Sequence, residues 1–296
     1  MTKTAFIAIV GRPNVGKSTL LNAMLGEKIS IVSNKPQTTR NRITGILTKD
    51  ENQFVFLDTP GIHKPHTKLG DYMVKAADSA ISSSSVIILI TEVNRAPTEV
   101  ELSVIEAIKK SALPSILVLN KIDIADPTTV AKAIETYAKL HDFDSIIPVS
   151  AENNDGTDIV LDECAKFMNE SAWFFPDDIA TDQPERQIVA EVIREKLLRL
   201  LDDEVPHGTA VTIESFEDTE DIIRVRAEIF CEKESHKGII IGKNGATLKK
   251  IGTYARQDLE KFFGVKVYLN LWVKVKEKWR DSTFNLNNFG YNPKDF

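Results

Sequence analysis

Residues 11–19 read GRPNVGKST and fit the spacing G-x-x-x-x-G-K-[ST] between the apolar runs FIAIV and LLNAML. That pattern is chemistry for phosphate. Gly11 and Gly16 let the backbone approach an anion, and the N–H groups of Asn14, Val15, Gly16, Lys17 and Ser18 can surround a β-phosphate, with Thr19 joining them at the helix start. The Lys17 ammonium is expected to bridge the β- and γ-phosphates and the Ser18 hydroxyl to bind Mg²⁺. An ordinary glycine turn is the alternative, and the lysine, the serine and the flanking elements together argue against it.

Three further tetrads or triads extend this site. DTPG at 58–61 follows the run QFVFL, so Asp58 is expected at a strand end, holding Mg²⁺, with the Gly61 amide placed to sense the γ-phosphate. NKID at 120–123 follows SILVL. A carboxylate at Asp123 can accept from both N1–H and the 2-amino group of guanine, donors that adenine does not offer there. Buried groups left unpaired reject the wrong partner by roughly 10⁴ to 10⁵. Asn120 is expected to tie this loop to the phosphate loop, and Lys121 to cover one face of the base. Ser150 and Ala151, in SAE after SIIPV, complete the set, with the Ala151 amide directed at the guanine carbonyl. GTP and GDP are the expected ligands.

The elements that must position these residues alternate strand and helix from residue 1 to about 172. Strands are read in AFIAIV, ITGILT, QFVFL, VIILI, SILVL and SIIPV; helices in LGDYMVKAADSA, TEVELSVIEAIKKS, PTTVAKAIETYAKL and TDIVLDECAKFMNE. The polar turn KDEN is too short for a crossover helix, so ITGILT and QFVFL are expected to be antiparallel and the remaining strands parallel. WFFPDDIATDQP at 173–184 breaks the alternation as a linker.

At 296 residues the chain suggests two domains. Its two cysteines, Cys164 and Cys231, form neither a zinc spacing nor a disulfide framework, and no apolar run approaches the ~20 residues of a membrane helix. A reducing cytoplasm without export is expected. The net charge of −6 conceals a segregation: residues 177–232 carry 6 Lys/Arg against 16 Asp/Glu, whereas 233–279 carry 11 against 4.

The basic stretch surrounds GKNG at 242–245. The sequence from 185 to 279 gives a helix (PERQIVAEVIREKLLRLL, started by Asp182 and Pro184), the strands AVTIESF and IIRVRAEIF, the glycine loop, the helix ATLKKIGTYARQDLEKFF and the strand VKVYLNLWVKVK. Leu248, Ile251, Ala255, Leu259 and Phe262 are expected to form the apolar face of that second helix, and Val265, Val267, Leu269, Leu271, Val273 and Val275 the buried side of the last strand. A G-x-x-G loop in this α-β-β-α-β order has the layout of a KH domain, which clamps about four nucleotides of single-stranded nucleic acid. Gly242 and Gly245 admit the backbone, Lys243 and Asn244 line the loop, and Ile241 with Ile251 is expected to form an apolar groove for bases. Lys237, Lys249, Lys250 and Arg256 are phosphate-contact candidates, about half of them expected to be only a solvated helix face. Tyr268 and Trp272, on the other side of their strand, are expected to pack under the C-terminal tail (280–296) or the first domain, with base stacking as the alternative.

Residues 1–172 resemble a translation-factor-class GTPase domain. The resemblance implies a switch threonine in QTTR at 37–40, Thr39 or alternatively Thr38, as γ-phosphate and Mg²⁺ contact, and makes Lys17, Thr39 and Gly61 the catalytic candidates. Ras-type enzymes place a glutamine after the DxxG glycine to orient water; here that residue is Ile62. Slow basal hydrolysis is therefore expected, completed by a cation, a loop or a partner. Asn14 matches the asparagine that related GTPases use as a K⁺ ligand; an asparagine merely shaping the loop is the equal alternative. His63 is discounted as a base.

From the phosphate loop through WFFPDDIATDQPERQIVAEVIREKL and LLDDEVPHGTAV to GIIIGKNG, the chain is similar end to end to the Era family. The resemblance implies an α/β P-loop GTPase domain, with a mostly parallel sheet and one antiparallel strand, followed by an α+β type II KH domain. It implies a monomeric cytoplasmic GTPase that binds small-subunit ribosomal RNA near its 3′ end and assists small-subunit assembly, with peripheral association at the inner face of the membrane. A second domain that only docks a protein or membrane partner is the competing reading, against which the intact GKNG loop speaks. A metabolic GTP-dependent enzyme would need a second catalytic constellation, which the sequence lacks.

Overall fold

A computed structural model describes residues 1–62 and 64–292. The first six strands are β1 (Lys3–Val10), β2 (Ile43–Lys49), β3 (Asn52–Asp58), β4 (Val86–Glu92), β5 (Ser115–Asn120) and β6 (Ser145–Val149), in the order β2-β3-β1-β4-β5-β6. Only β2 runs antiparallel to its neighbour on that path, as the short KDEN turn requires. Helices α1 (Lys17–Leu25), α2 (Lys68–Ser82), α3 (Glu99–Ser111), α4 (Pro127–Ala138) and α5 (Thr157–Ala165) cover the two faces. Being buried on both sides, the strands are continuous apolar runs: Ile88, Ile90, Ile116 and Val118 enter one core and Ile87, Leu89, Leu117 and Leu119 the other.

One helix is shorter than its sequence suggests. The predicted segment 157–170 leaves the helix at Ala165, and Asn169–Glu170 forms a two-residue strand, β7, antiparallel to Lys3 and Thr4. The β4 partnership of β1 begins only at Ile7, so the start of β1 has an open edge, and pairing there outweighs local helix preference. The linker 173–184 is also committed. The Phe174 and Phe175 amides donate to Gln53 Oε1 (2.9 and 3.1 Å), and the chain then caps the exposed edge of β2 through Ile46 N to Ala180 O (2.8 Å) and Thr181 Oγ1 to Thr44 O (2.7 Å).

The second unit comprises α6 (Glu185–Leu200), β8 (Ala210–Thr219), β9 (Ile222–Cys231), α7 (Glu234–Ile241), α8 (Ala246–Phe263) and β10 (Lys266–Val275). The central strand β9 is antiparallel to β8 and parallel to β10, the topology of a type II KH domain. Asp182 does not cap α6; Pro184 begins it with no side-chain cap. Ile251, Ala255 and Leu259 of α8 are buried as expected, but its last turn presents Phe263 to the core, four residues on from Leu259, and leaves Phe262 exposed. On β10 only Val267 is fully buried; Val265, Leu269, Leu271, Val273 and Val275 are half-buried on the same side.

The tail joins the two units. Trp279 and Tyr291, flanking α9 (Thr283–Asn288), pack with Leu69, Tyr72 and Met73 of α2 and Ala210 of β8, and Lys68 N donates to Asp281 Oδ1 at 3.3 Å. Tyr268 and Trp272, assigned from sequence to a covered surface, are instead 54% and 59% exposed. The tail selects Trp279, whose indole N–H donates to Gly208 O at 2.9 Å.

Candidate nucleotide and nucleic-acid sites

The phosphate loop turns from β1 into α1 with Asn14 and Gly16 at positive φ (64° and 102°). A Cβ at Gly16 would stand 2.2 Å from Asn120 Nδ2, and one at Gly61 2.6 Å from the backbone of Pro13, so both glycines are places where two loops touch. Lys17 Nζ is buried against Arg12 O (2.8 Å) and Gly11 O (3.3 Å). Burial lowers its pKa to about 8, with Asp58 pulling the other way. Burial conversely raises Asp58, against which Lys17 and bonds from Ser18 and Ser30 work.

Asp58 Oδ2 accepts from Ser18 Oγ (2.7 Å) and Ser30 Oγ (2.9 Å), and Ser18 Oγ lies 2.9 Å from Thr39 Oγ1. Asp58 Oδ1 is buried without a partner. Two hydroxyls and a carboxylate with a spare oxygen fit a hard, oxygen-liganded ion such as Mg²⁺, which takes few protein ligands beside phosphates and water. The geometry distinguishes the two threonines: Thr38 turns its hydroxyl back to Lys35 O at 2.6 Å, whereas Thr39 faces Ser18. Ile62 sits with its amide on Gly11 O (3.1 Å) and its side chain against the sheet core, and His63 lies outside the described residues.

Asn120 joins three loops, donating to Val15 O at 2.8 Å and accepting from Ala151 N at 3.0 Å. The Ala151 amide thus helps to hold its loop to Asn120. Ser150 Oγ donates to Asp123 Oδ1 (2.6 Å), orienting an otherwise exposed carboxylate. Lys121, at φ 68°, reaches Asn14 O (3.1 Å) and the Glu92 carboxylate, laying its stem along the cleft. Val15 is buried, and Asn120, Lys121, Asp123 and Glu92, with Thr19, line a cleft of about 460 Å³ that also takes in Ile124, Glu152 and the segment Ile31–Asn34. Asn14 Nδ2 donates across it to Asn34 O at 2.8 Å.

The threonine-bearing segment is held from behind by the second unit. Val32 N donates to Glu195 Oε1 (3.1 Å), Arg199 donates to Val32 O (3.0 Å), and the buried Arg194 guanidinium bonds the carbonyls of Gln37 and Thr38. Arg40 is wholly buried, donating to Thr209 O (2.7 Å), His207 O (2.9 Å) and Tyr291 Oη (3.3 Å) over the Trp279 ring. Sequence reading did not find this clamp. The arginines carried no local signal beyond their place in an amphipathic helix or beside a switch threonine.

In the second unit, Gly242 (φ 73°) turns the chain so sharply that a Cβ would meet Thr247 Oγ1 at 2.2 Å. Asn244 (φ 54°) and Gly245 (φ 75°) complete the loop, which exposes Lys243 and Asn244. Beside it runs a groove of about 410 Å³ between α8 and β10, with Leu248, Gly252, Leu269 and Leu271 as its floor and Lys249 and Arg256 on its rim. This corrects the expected groove: Ile251 is wholly buried in the core, because the apolar side of α8 that holds it faces the sheet, and Ile241 is half-buried outside the groove lining. Lys237 is half-buried, and Lys250 lies over the Tyr254 ring at 5.8 Å. The floor combines one residue from the predicted apolar face of the helix and two from that of the strand with a glycine, a juxtaposition that only the packing of α8 on β10 reveals.

Among known families, a 50S ribosome-binding GTPase family matches residues 6–121 and the KH domain family residues 204–280. The GTPase Era of Ruminiclostridium cellulolyticum is 50% identical over 98% of this chain and 97% of its own length, and that of Clostridium novyi 51% over 98% and 99%. Two solved structures superpose with TM-scores of 0.95 at 39% identity, covering 98% of this chain and 99% of theirs. One is Era in complex with MgGDPNP and nucleotides 1506–1542 of 16S ribosomal RNA; the other is an Aquifex aeolicus Era variant bound to GDP and AlF₄⁻. No helix among the described residues is long and apolar enough to cross a membrane.

Proposed function

The chain belongs to the Era family of GTPases, and on that premise we propose that it is a GTP-hydrolysing switch whose KH groove holds the 3′ region of small-subunit ribosomal RNA during subunit assembly. The observation that carries the reading is the segment 28–40. One side of it presents Thr39 to Ser18, which in turn bonds Asp58, and the other is bonded to α6 and the loop before β8. A γ-phosphate that reorders Thr39 must act on those bonds.

In the cleft, the phosphate-loop amides from Asn14 to Thr19 and Lys17 bind the phosphates, the Gly61 amide meets the γ-phosphate, and Asp123, positioned by Ser150, reads guanine. Asn120 and Ala151 hold the base loop to the phosphate loop, and Lys121 covers the base. Ser18, Thr39 and Asp58 would hold Mg²⁺, which when bound neutralises charge developing on the phosphates. Water cannot be oriented by the hydrocarbon of Ile62, so basal turnover is slow. Asn14, whose amide donates to Asn34 O at 2.8 Å, is the residue that would ligate K⁺. In the groove, Lys243, Asn244, Lys249 and Arg256 face the nucleic-acid backbone, with Gly242 and Gly245 allowing its approach; Lys237 and Lys250 add charge at a distance. The protein acts as a monomer in the cytoplasm; peripheral attachment to the inner membrane face rests on the family alone.

The test is a GTP hydrolysis assay in matched K⁺ and Na⁺ chloride, with and without an RNA matching the 3′ end of small-subunit ribosomal RNA. Slow turnover that RNA accelerates supports the proposal, a K⁺ dependence supports a cation in the site, and equal rates in both salts remove it. A rate indifferent to RNA would leave the KH domain as a passive tether.

A further inference from the structure

We propose that the outer face of the KH sheet is a second surface for single-stranded RNA, continuous over the β10 edge with the groove; it rests on the RNA reading of that groove. β10 is an edge strand, and its alternate residues serve opposite sides. Leu269 and Leu271 form the groove floor, while Tyr268 and Trp272 stand on the reverse side, 54% and 59% exposed. A chain leaving the groove across this edge meets them next.

The face is built for a flat anion. Arg224, paired in register with Tyr268, lies 5.9 Å from that ring, and the exposed Arg226 is opposite Asn270. Lys266 and Lys274 flank the aromatics on the same side, Lys274 beside Glu228. On the neighbouring strand Glu217 stands opposite Arg224, so cations on this face outnumber acids although the whole chain is acidic. The other end of the same face contrasts with it: Phe230 is covered by Phe289 of the tail, ring centroids 4.5 Å apart. There the protein closes the sheet with an aromatic of its own tail; at the open end Tyr268 and Trp272 have no such cover among the described residues. Tyr268 and Trp272 are four residues apart, ~13 Å along the strand, room for two non-adjacent bases stacked on rings with phosphates at the arginines.

The test uses the full chain and fluorescent RNA oligonucleotides: one of about six nucleotides that fills the groove, and versions extended by about eight at either end. One extension should tighten binding to the wild type. The Tyr268→Ala/Trp272→Ala variant should hold the short RNA unchanged and lose at least tenfold for that extended RNA. Phe at both positions should restore it, and Arg224→Ala/Arg226→Ala should flatten its salt dependence. An extension that gives no gain, or a gain that survives the aromatic variant, overturns the proposal and leaves an acidic protein as the ligand of this face. A wild type that ignores the short RNA but holds the extended one through Tyr268 and Trp272 overturns the groove reading alone.

Discussion

The nucleotide cleft and the KH groove solve recognition by opposite means. In the cleft almost every polar group is already engaged: Asn120 bridges two loops, Ser150 holds Asp123, and Lys17 is buried on two carbonyls. The groove has an apolar floor, a glycine loop beside it, the exposed Lys249 and a half-buried Arg256 paired with Glu260. A preorganised site discriminates by what it leaves unpaired, whereas an open charged groove gains affinity from counterion release and little discrimination. The two should therefore fail differently.

The largest effect is expected at Asp123. Asp123→Asn removes the acceptor for two guanine donors, and GTP affinity should fall by roughly two to four orders of magnitude while xanthine nucleotides gain. Isothermal titration with both nucleotides measures this; unchanged GTP affinity removes the assignment. In the groove, Lys243→Asp with Asn244→Asp should weaken RNA at least a hundredfold in low salt, less in high salt, with GTP binding untouched. Neither residue has a core role, so a loss of GTP binding in this variant would show that the sites are not separable. Between the sites, Arg40→Ala strands three acceptors, two of them backbone carbonyls, and should cost about 2–4 kcal/mol in urea unfolding. A coincident single transition would become two if the clamp joins the units. The smallest effect concerns pH. Burial, with Arg40 and Lys35 nearby, lowers the pKa of His207. The unfolded chain thus binds this proton more readily than the folded one. Stability from this group is present above about pH 6.5 and falls as the pH drops below it. His207→Asn should flatten that slope slightly.

The legibility of the sequence follows the same division. The cleft could be read because its residues come in short contiguous motifs, each at the end of a β-rich run, and the chain order fixed their meeting at one sheet edge. The GKNG loop was legible for the same reason. The groove floor was not, since Leu248 and Leu271 converge only through the packing of α8 on β10, and it was the KH-like layout of the loop, not apolar periodicity, that assigned Ile251 to it. Tyr268, Trp272 and Trp279 are alike in sequence, and only the path of the tail decides which aromatic is covered. The Arg40 and Arg194 clamp spans more than 150 residues of chain and leaves no local pattern.

The central claim is that the segment bearing Thr39 transmits nucleotide state to the KH domain. Its direct test is the affinity for the ribosomal RNA 3′ fragment in the GDP state and with a non-hydrolysable GTP analogue, in the wild type and in Arg194→Ala. A clear difference between nucleotide states in the wild type that collapses in the variant, with both still binding nucleotide, is the predicted result. Equal RNA affinity in the two states of the wild type, or a difference that persists without Arg194, would contradict it.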